Sequence, residues 1–476
     1  MNHRILLLLL VFLCVVVVVL LNYSVKQKEL TVNVAFKSFP ELREKEITVK
    51  VLYQNSTAVK NANIYYEQIS QNFMYNVGEY WDANATDVGS NTKGIYLDWW
   101  WGRLEPQDNV YNWGYLENTD INSQGELNSE SEHVFLRLGV IATSAWIAGE
   151  KMDSFQETGY PSWVNKSNLT QVKEKYLEFV AALLNHLKFK PDFYMVEVEV
   201  NALGINAGMT NQEIIDWLHQ LTGKIKEIDK EAKVSIVVTS HDLSPFMDVY
   251  FVGKEELIKE DRFPLQVTEF LERMKVMNYD IIATFIQPFG WVSKGDWSDA
   301  AHFLDSLSSF NKSVYIGWIS FLAEEPEIPE ELNPNPNNIH GKGGFVYYPN
   351  INGHSEEWQK EQTLKLMNYI ISNPRIIGVH WDMLDYVETG TGGKNFTVKL
   401  ATGFTSGYRD QNGNVIEGRK RFVYEPVKEL WESLFSKGNS RTDESGVVKF
   451  NGYSGKYRIT ISHPDYWIKE MIINVR

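Results

Sequence analysis

Two carboxylates, Glu197 and Glu199, stand two residues apart in the apolar run FYMVEVEVN at residues 193–201. Strand side chains alternate between faces, so the pair is expected to share one face with Met195 and Asn201. An acid among apolar strand residues faces either water or a site. In a parallel barrel, the inward positions near a strand's C-terminal end are where catalytic groups sit. The same pattern also fits an antiparallel edge strand with a solvated Glu face. The surrounding elements have to decide.

Eight short apolar runs punctuate the middle of the chain, at 73–77, 95–99, 134–140, 193–200, 234–238, 281–286, 314–319 and 376–381. Between several of them lie stretches with apolar residues at helical spacing: 169–187, 212–228, 268–277 and 356–371, the last ended by the Asn373-Pro374 breaker. Strands alternating with helices give an α/β chain, and eight of them predict a (β/α)8 TIM barrel. The two ends read differently. Residues 46–68 and 446–475 alternate like strands around turns, and each is too small for a stable sheet alone. Together they predict one small β-sandwich with the barrel inserted between its halves. Two separate β-appendages packed on the barrel are the alternative.

The chain carries a net charge of −15, which argues against a nucleic-acid partner, because phosphate binding needs a basic face. Its 15 Trp, 24 Tyr and 24 Phe suit sugar stacking and a large core equally. Residues 5–21 are uninterrupted apolar after Arg4, with no small-x-small cleavage signal behind them. They read as an uncleaved signal anchor, a single transmembrane helix with the bulk of the chain outside the cell membrane. Secretion after cleavage is the alternative. Cys14, the single cysteine, lies in this run, so the rest of the chain has no thiol to form a disulfide. Asn55, Asn84, Asn165, Asn168, Asn311 and Asn395 head glycosylation sequons. His241 and His380 lack metal-ligand spacing, so neither a metal nor a cofactor is expected. The expected division is 1–25 anchor, 26–70 first part of the sandwich, 71–438 barrel and 439–476 second part of the sandwich.

Four motifs carry a family likeness: WWWGRLEPQDNVYNW at 99–113, PSWV at 161–164, DIIATFIQPFG at 280–290 and GVHWDMLD at 378–385. With them the chain resembles the glycoside hydrolase family 10 xylanases, as a divergent member or a relative within that clan of barrel glycosidases. The terminal pieces KVLYQNSTAVKNANIYYEQ and TDESGVVKFNGYSGKYRITI resemble the halves of a carboxypeptidase-regulatory-like sandwich. The barrel resemblance implies a polysaccharide or glycan as partner and retaining hydrolysis by two carboxylates about 5–5.5 Å apart, at the ends of strands four and seven. The family's fourth strand ends in Asn-Glu, matched here by Val198-Glu199. Glu199 thereby inherits the acid/base role. Glu197 would lie deeper and raise the pKa of Glu199 by like-charge repulsion, or else be a buried carboxylate bonded to Arg, Lys or Tyr. Gln287 matches the sugar-contacting Gln and Trp381 the platform Trp, with Trp100, Trp101, Trp146 and Trp318 as further stacking surfaces.

The seventh strand departs from the pattern. Where the family reads Thr-Glu-Leu-Asp, this chain reads Gly317-Trp318-Ile319-Ser320, with Trp318 on the nucleophile position. Glu324, Glu325, Asp98, Asp242 and Asp382 are the candidates for a second carboxylate. A glycan-binding barrel that has lost catalysis is the alternative function.

Overall fold

The computed structural model describes residues 30–38, 44–78, 90–98, 100–128, 131–141, 160–165, 167–198, 200–202, 208–239, 254–262, 265–286, 296–324, 354–382, 384–389, 397–409, 415–464 and 466–475. Two compact units emerge, one from Met74–Leu430 and one from the residues on either side of it.

The larger unit is an eight-stranded parallel barrel. Its strands are β1 (Met74–Gly78), β2 (Thr92–Tyr96), β3 (His133–Leu138), β4 (Phe193–Val196), β5 (Val234–Thr239), β6 (Ile281–Ile286), β7 (Ser313–Ile319) and β8 (Ile376–Asp382). From β2 to β8 each strand pairs in parallel with the next, and β8 also pairs with β1. At the β1–β2 seam the Asn91 amide donates to the Tyr75 carbonyl (3.0 Å), and the Tyr75 amide donates to the Asn91 side chain (2.8 Å). Each of the eight expected runs overlaps a strand of this barrel, the second only at residues 95–96.

Helices α1 (Leu169–His186), α2 (Asn211–Ile228), α3 (Val267–Met274), α4 (Trp297–Ser308) and α5 (Glu356–Ser372) fall on or close to the expected stretches or between expected strands. Four of their starts are capped by side chains: Asn168 for α1, a Thr210–Glu213 capping box for α2, Asp296 for α4 and Ser355 for α5. In α1 the buried Val172, Tyr176, Phe179, Val180 and Leu183 repeat at helical spacing, the inner stripe of a barrel helix.

Inside the barrel, Phe135, Phe193 and Tyr315 from β3, β4 and β7 bring their ring centroids 5.1–5.4 Å apart. Met74, Ile281 and Ala283 join them in one buried cluster. Room for Phe135 comes from Gly94 on β2, where a Cβ would stand 2.4 Å from the ring's Cζ. The barrel is a packed core, as expected of eight strands.

In the smaller unit, strands Thr31–Ser38, Glu44–Leu52 and Val447–Tyr453 form one antiparallel sheet. Lys437–Arg441, Asn63–Gln71, Gly455–His463 and Tyr466–Val475 form the other. Ile47, Val49 and Val51, at strand period two, share a core with Ile64, Phe450, Tyr457, Ile459 and Ile461. Segments from both chain ends thus build a single core. Among the described residues no helix is long and apolar enough to cross a membrane; the apolar run 5–21 lies outside them.

Candidate functional site

At the C-terminal ends of β2, β3 and β4 stand three buried charged residues, Asp98, Arg137 and Glu197. β4 stops at Val196, one residue before Glu197. Glu197 takes a left-handed backbone with φ of 54°, and residues 200–202 form a short 3-10 turn. This corrects the expected continuous strand through Asn201: the period-two alternation breaks at Glu197, so sequence spacing does not put Glu197 and Glu199 on one strand face. Glu199 itself lies outside the described residues. A left-handed residue other than glycine costs on the order of 1–3 kcal/mol and persists only where its surroundings hold it.

The surroundings of Glu197 do hold it. Its side chain is fully buried, and three N–H donors converge on Oε1: the amides of Val140 (3.1 Å) and Ile141 (3.2 Å) and the indole of Trp217 (2.8 Å). Its own amide donates to the Leu138 carbonyl at 2.8 Å. Gly139 is required beneath it, because a Cβ there would lie 2.7 Å from Oε2. The Tyr176 hydroxyl accepts from the Gly139 amide (2.7 Å) and donates to the Gly139 carbonyl (3.1 Å). Burial pushes that phenol's pKa well up, and the charges of Glu197 and Asp98 push it further. The buried carboxylate is therefore tied to two backbone amides and an indole.

Asp98, two residues past β2, is fully buried beside Arg137 of β3. Arg137 donates to Asp98 Oδ2 through Nε (3.0 Å) and Nη2 (2.9 Å). The guanidinium lies 4.3 Å from the centroid of the Tyr96 ring. The Tyr96 hydroxyl is pushed up to about 12, chiefly by burial, with Arg137 opposing and Asp98 adding to it. Sequence reasoning missed Arg137, although an arginine inside the apolar run VFLRLGV signals a buried partner. On β8, His380 Nδ1 accepts from the Asn76 amide group at 3.3 Å, and the Ser90 hydroxyl donates to Asn76 Oδ1 at 2.9 Å. Asn201 meets β5 by side chain: Thr239 N donates to its Oδ1 (2.9 Å) and its Nδ2 donates to Thr239 O (3.1 Å).

The candidate stacking residues divide. Trp100 is half-buried, 5.3 Å from Tyr115. Trp101 is fully buried among Tyr160, Trp163, Tyr176 and Phe179, with its indole N–H on Glu105 Oε2 at 2.8 Å. It offers no open ring face. Glu105 also accepts from the Asn109 amide (2.9 Å), while its carbonyl accepts from Trp163 (2.9 Å). Burial raises the carboxyl's pKa. The Trp–Glu-Pro motif is thus a packing knot. Trp381 is likewise fully buried, between Phe321 and Phe404, with its indole N–H toward the Met367 sulfur at 3.1 Å. Its ring is enclosed rather than set out as a platform.

Trp318 is buried inside the barrel with Met195, Phe285 and Tyr315, at a register shift that passes over Gly317. Trp146, Gln287, Asp242 and Glu325 lie outside the described residues, Glu324 is exposed, and Asp382 is the last residue of β8. Among the described residues no group of three or more His, Cys, Asp or Glu is placed to hold a metal.

No protein-family model matches the chain, and no curated protein matches it. Several solved structures overlap with it. Xylanase 10B from Thermotoga maritima is 13% identical, covering 76% of this chain and 95% of its own, at a TM-score of 0.41. The GH53 catalytic domain of Ignisphaera aggregans is 13% identical, covering 75% and 96%, at 0.39. GH5_18 from Streptomyces cattleya in complex with GlcNAc is 13% identical, covering 72% and 71%, at 0.43. The overlap is loose, and the barrel rests on the chain's own strand order. The chain folds as an eight-stranded parallel α/β barrel.

Proposed function

We propose that the chain is a glycoside hydrolase-type barrel acting on O-glycosidic bonds of an extracellular polysaccharide or glycan, with Glu199 as its acid/base. The observation that carries this reading is the group of buried charges at the C-terminal ends of β2–β4, Asp98, Arg137 and Glu197, beside the apolar packing of the barrel. Buried charges cost stability unless paired, and such clusters at the C-terminal end of barrel strands are functional-site candidates. In sequence, Glu199 stands two residues after Glu197. The leader at 1–25 would anchor the protein at the cell surface, with the barrel outside.

Trp318 favours a second reading. It fills the strand-seven position that the resemblance assigns to a nucleophile, and an indole cannot attack an anomeric carbon. On that reading the barrel binds glycans without cleaving them.

Reducing-end release by the full chain from a panel of β-linked polysaccharides, beside Glu199→Gln, separates the two. Release abolished by the substitution supports hydrolysis. Saccharide binding without release from any substrate supports the binding barrel. Neither release nor binding from folded protein overturns both.

A further inference from the structure

We infer that Glu197 is a positioning residue: its buried carboxylate fastens the end of β3 to the end of β4 and so sets the direction in which the chain leaves β4 toward Glu199. The inference rests on the acid/base assignment of Glu199 for its catalytic consequence, though not for its geometry.

Four contacts make the fastening. The Glu197 amide donates to Leu138 O at 2.8 Å, the last ladder bond between the two strands. Its Oε1 then reaches back over Gly139 to accept from Val140 and Ile141. These two amides follow the strand's last residues and have left the ladder. Trp217 Nε1 adds a third donor from α2, so one oxygen joins two strand ends and a helix. A carboxylate on an extended residue 197 would follow the strand's alternation. The left-handed φ turns the backbone so that the side chain folds back across β3.

Gly139 completes the fit, since any larger residue would meet both Oε2 at 2.7 Å and Glu197 Cα at 2.9 Å. Tyr176 braces Gly139 from α1 by bonding both its N–H and its C=O. The charged groups around this knot are the Asp98–Arg137 pair on the neighbouring strand ends and Lys173, Glu213 and Asp216 on α1 and α2. The Lys173 ammonium has its pKa lowered by burial, with Glu213, Asp216 and Glu197 opposing that shift. Oε1 thus acts as an acceptor hub, and what it holds is two backbone amides and an indole.

Two variants test this. Glu197→Gln keeps an acceptor oxygen of the same reach, whereas Glu197→Ala removes it. Amide hydrogen exchange of the full-length protein is followed at Val140 and Ile141, beside kcat and KM per folded molecule on whichever saccharide the wild type cleaves. The expected result is protected amides in the wild type and in Glu197→Gln. In Glu197→Ala, exchange at those two amides rises at least tenfold while the lower ends of β3 and β4 stay protected. For catalysis, Glu197→Ala is expected to lose at least a hundredfold in kcat with KM within threefold, and Glu197→Gln to recover at least a tenth of wild-type kcat. Unchanged exchange in Glu197→Ala overturns the clamp. Raised exchange with unchanged kcat reduces Glu197 to a structural acceptor and overturns the positioning role. A wild type that cleaves nothing, with the exchange pattern intact, refutes hydrolysis and the positioning role together but leaves the clamp standing.

Discussion

The two levels of the barrel interior are built on opposite principles. Lower down, Phe135, Phe193, Tyr315, Met74 and Ile281 exclude water with interlocking rings and apolar chains. At the C-terminal ends of β2–β4 stand Asp98, Arg137 and Glu197, all buried, with the Glu197 carboxylate turned back over β3 toward Trp217 of α2. Apolar packing of similar volume would usually serve stability as well as a buried ion pair or better. A protein that retains charges there gives up stability for position and polarity. The lower level makes the barrel, and the upper level is where chemistry has to be sought.

The largest effect is expected from Arg137→Ala, which leaves Asp98 buried beside an empty guanidinium site. Loss of one partner of a buried pair costs about 3–5 kcal/mol. Equilibrium denaturation measures it. Replacing both partners, Asp98→Leu with Arg137→Met, should restore most of that stability while saccharide cleavage or binding stays lost. If the double variant kept full function, the contrast between the levels would collapse.

Phe193→Ala probes the other level. A cavity among stacked rings costs toward the lower end of about 3–5 kcal/mol, because Phe135 and Tyr315 can partly close over it. The KM or Kd for saccharide should stay within a factor of two, measured on the folded fraction.

Gly139→Ala forces a Cβ against the Glu197 carboxylate and is expected to cost about 1–3 kcal/mol by overpacking. Unlike Phe193→Ala, it should also depress kcat. The smallest effect concerns pH. The Tyr96 hydroxyl titrates near 12 in the folded protein and near 10 when unfolded. Its folded value is raised, so its contribution is intact below pH 10 and lost as pH climbs toward 12. Tyr96→Phe should therefore show a shallower loss of stability between pH 10 and 12 in denaturation series.

The barrel was legible because each of its strands is an apolar run, and helical spacing marks the segments between several of them. Strand ends were less legible. Around residue 197 the Val-Glu alternation reads as strand, yet Glu197 turns left-handed because amides at 140 and 141 and an indole at 217 draw its carboxylate aside. Those partners are remote in sequence, and no local period reports them. Trp101 and Trp381 stood beside family-like motifs and read as sugar platforms. Their indoles are instead satisfied internally, by Glu105 and toward Met367. Period two held part of that answer, since His380 bonds Asn76 while the adjacent Trp381 points to α5. Arg137 was legible in principle, because a charge inside an apolar run needs a buried partner, here Asp98.

Mapping where a saccharide protects the protein tests the contrast of levels most directly. With a β-linked oligosaccharide that binds the Glu199→Gln protein, hydrogen exchange with and without ligand should show added protection at 96–98, 137–141 and 197–202. The strand starts at 133–135, 193, 281 and 313–315 should be unchanged. Protection confined to those strand starts, or to the β-sandwich, would contradict a carbohydrate site at the charged level of the barrel.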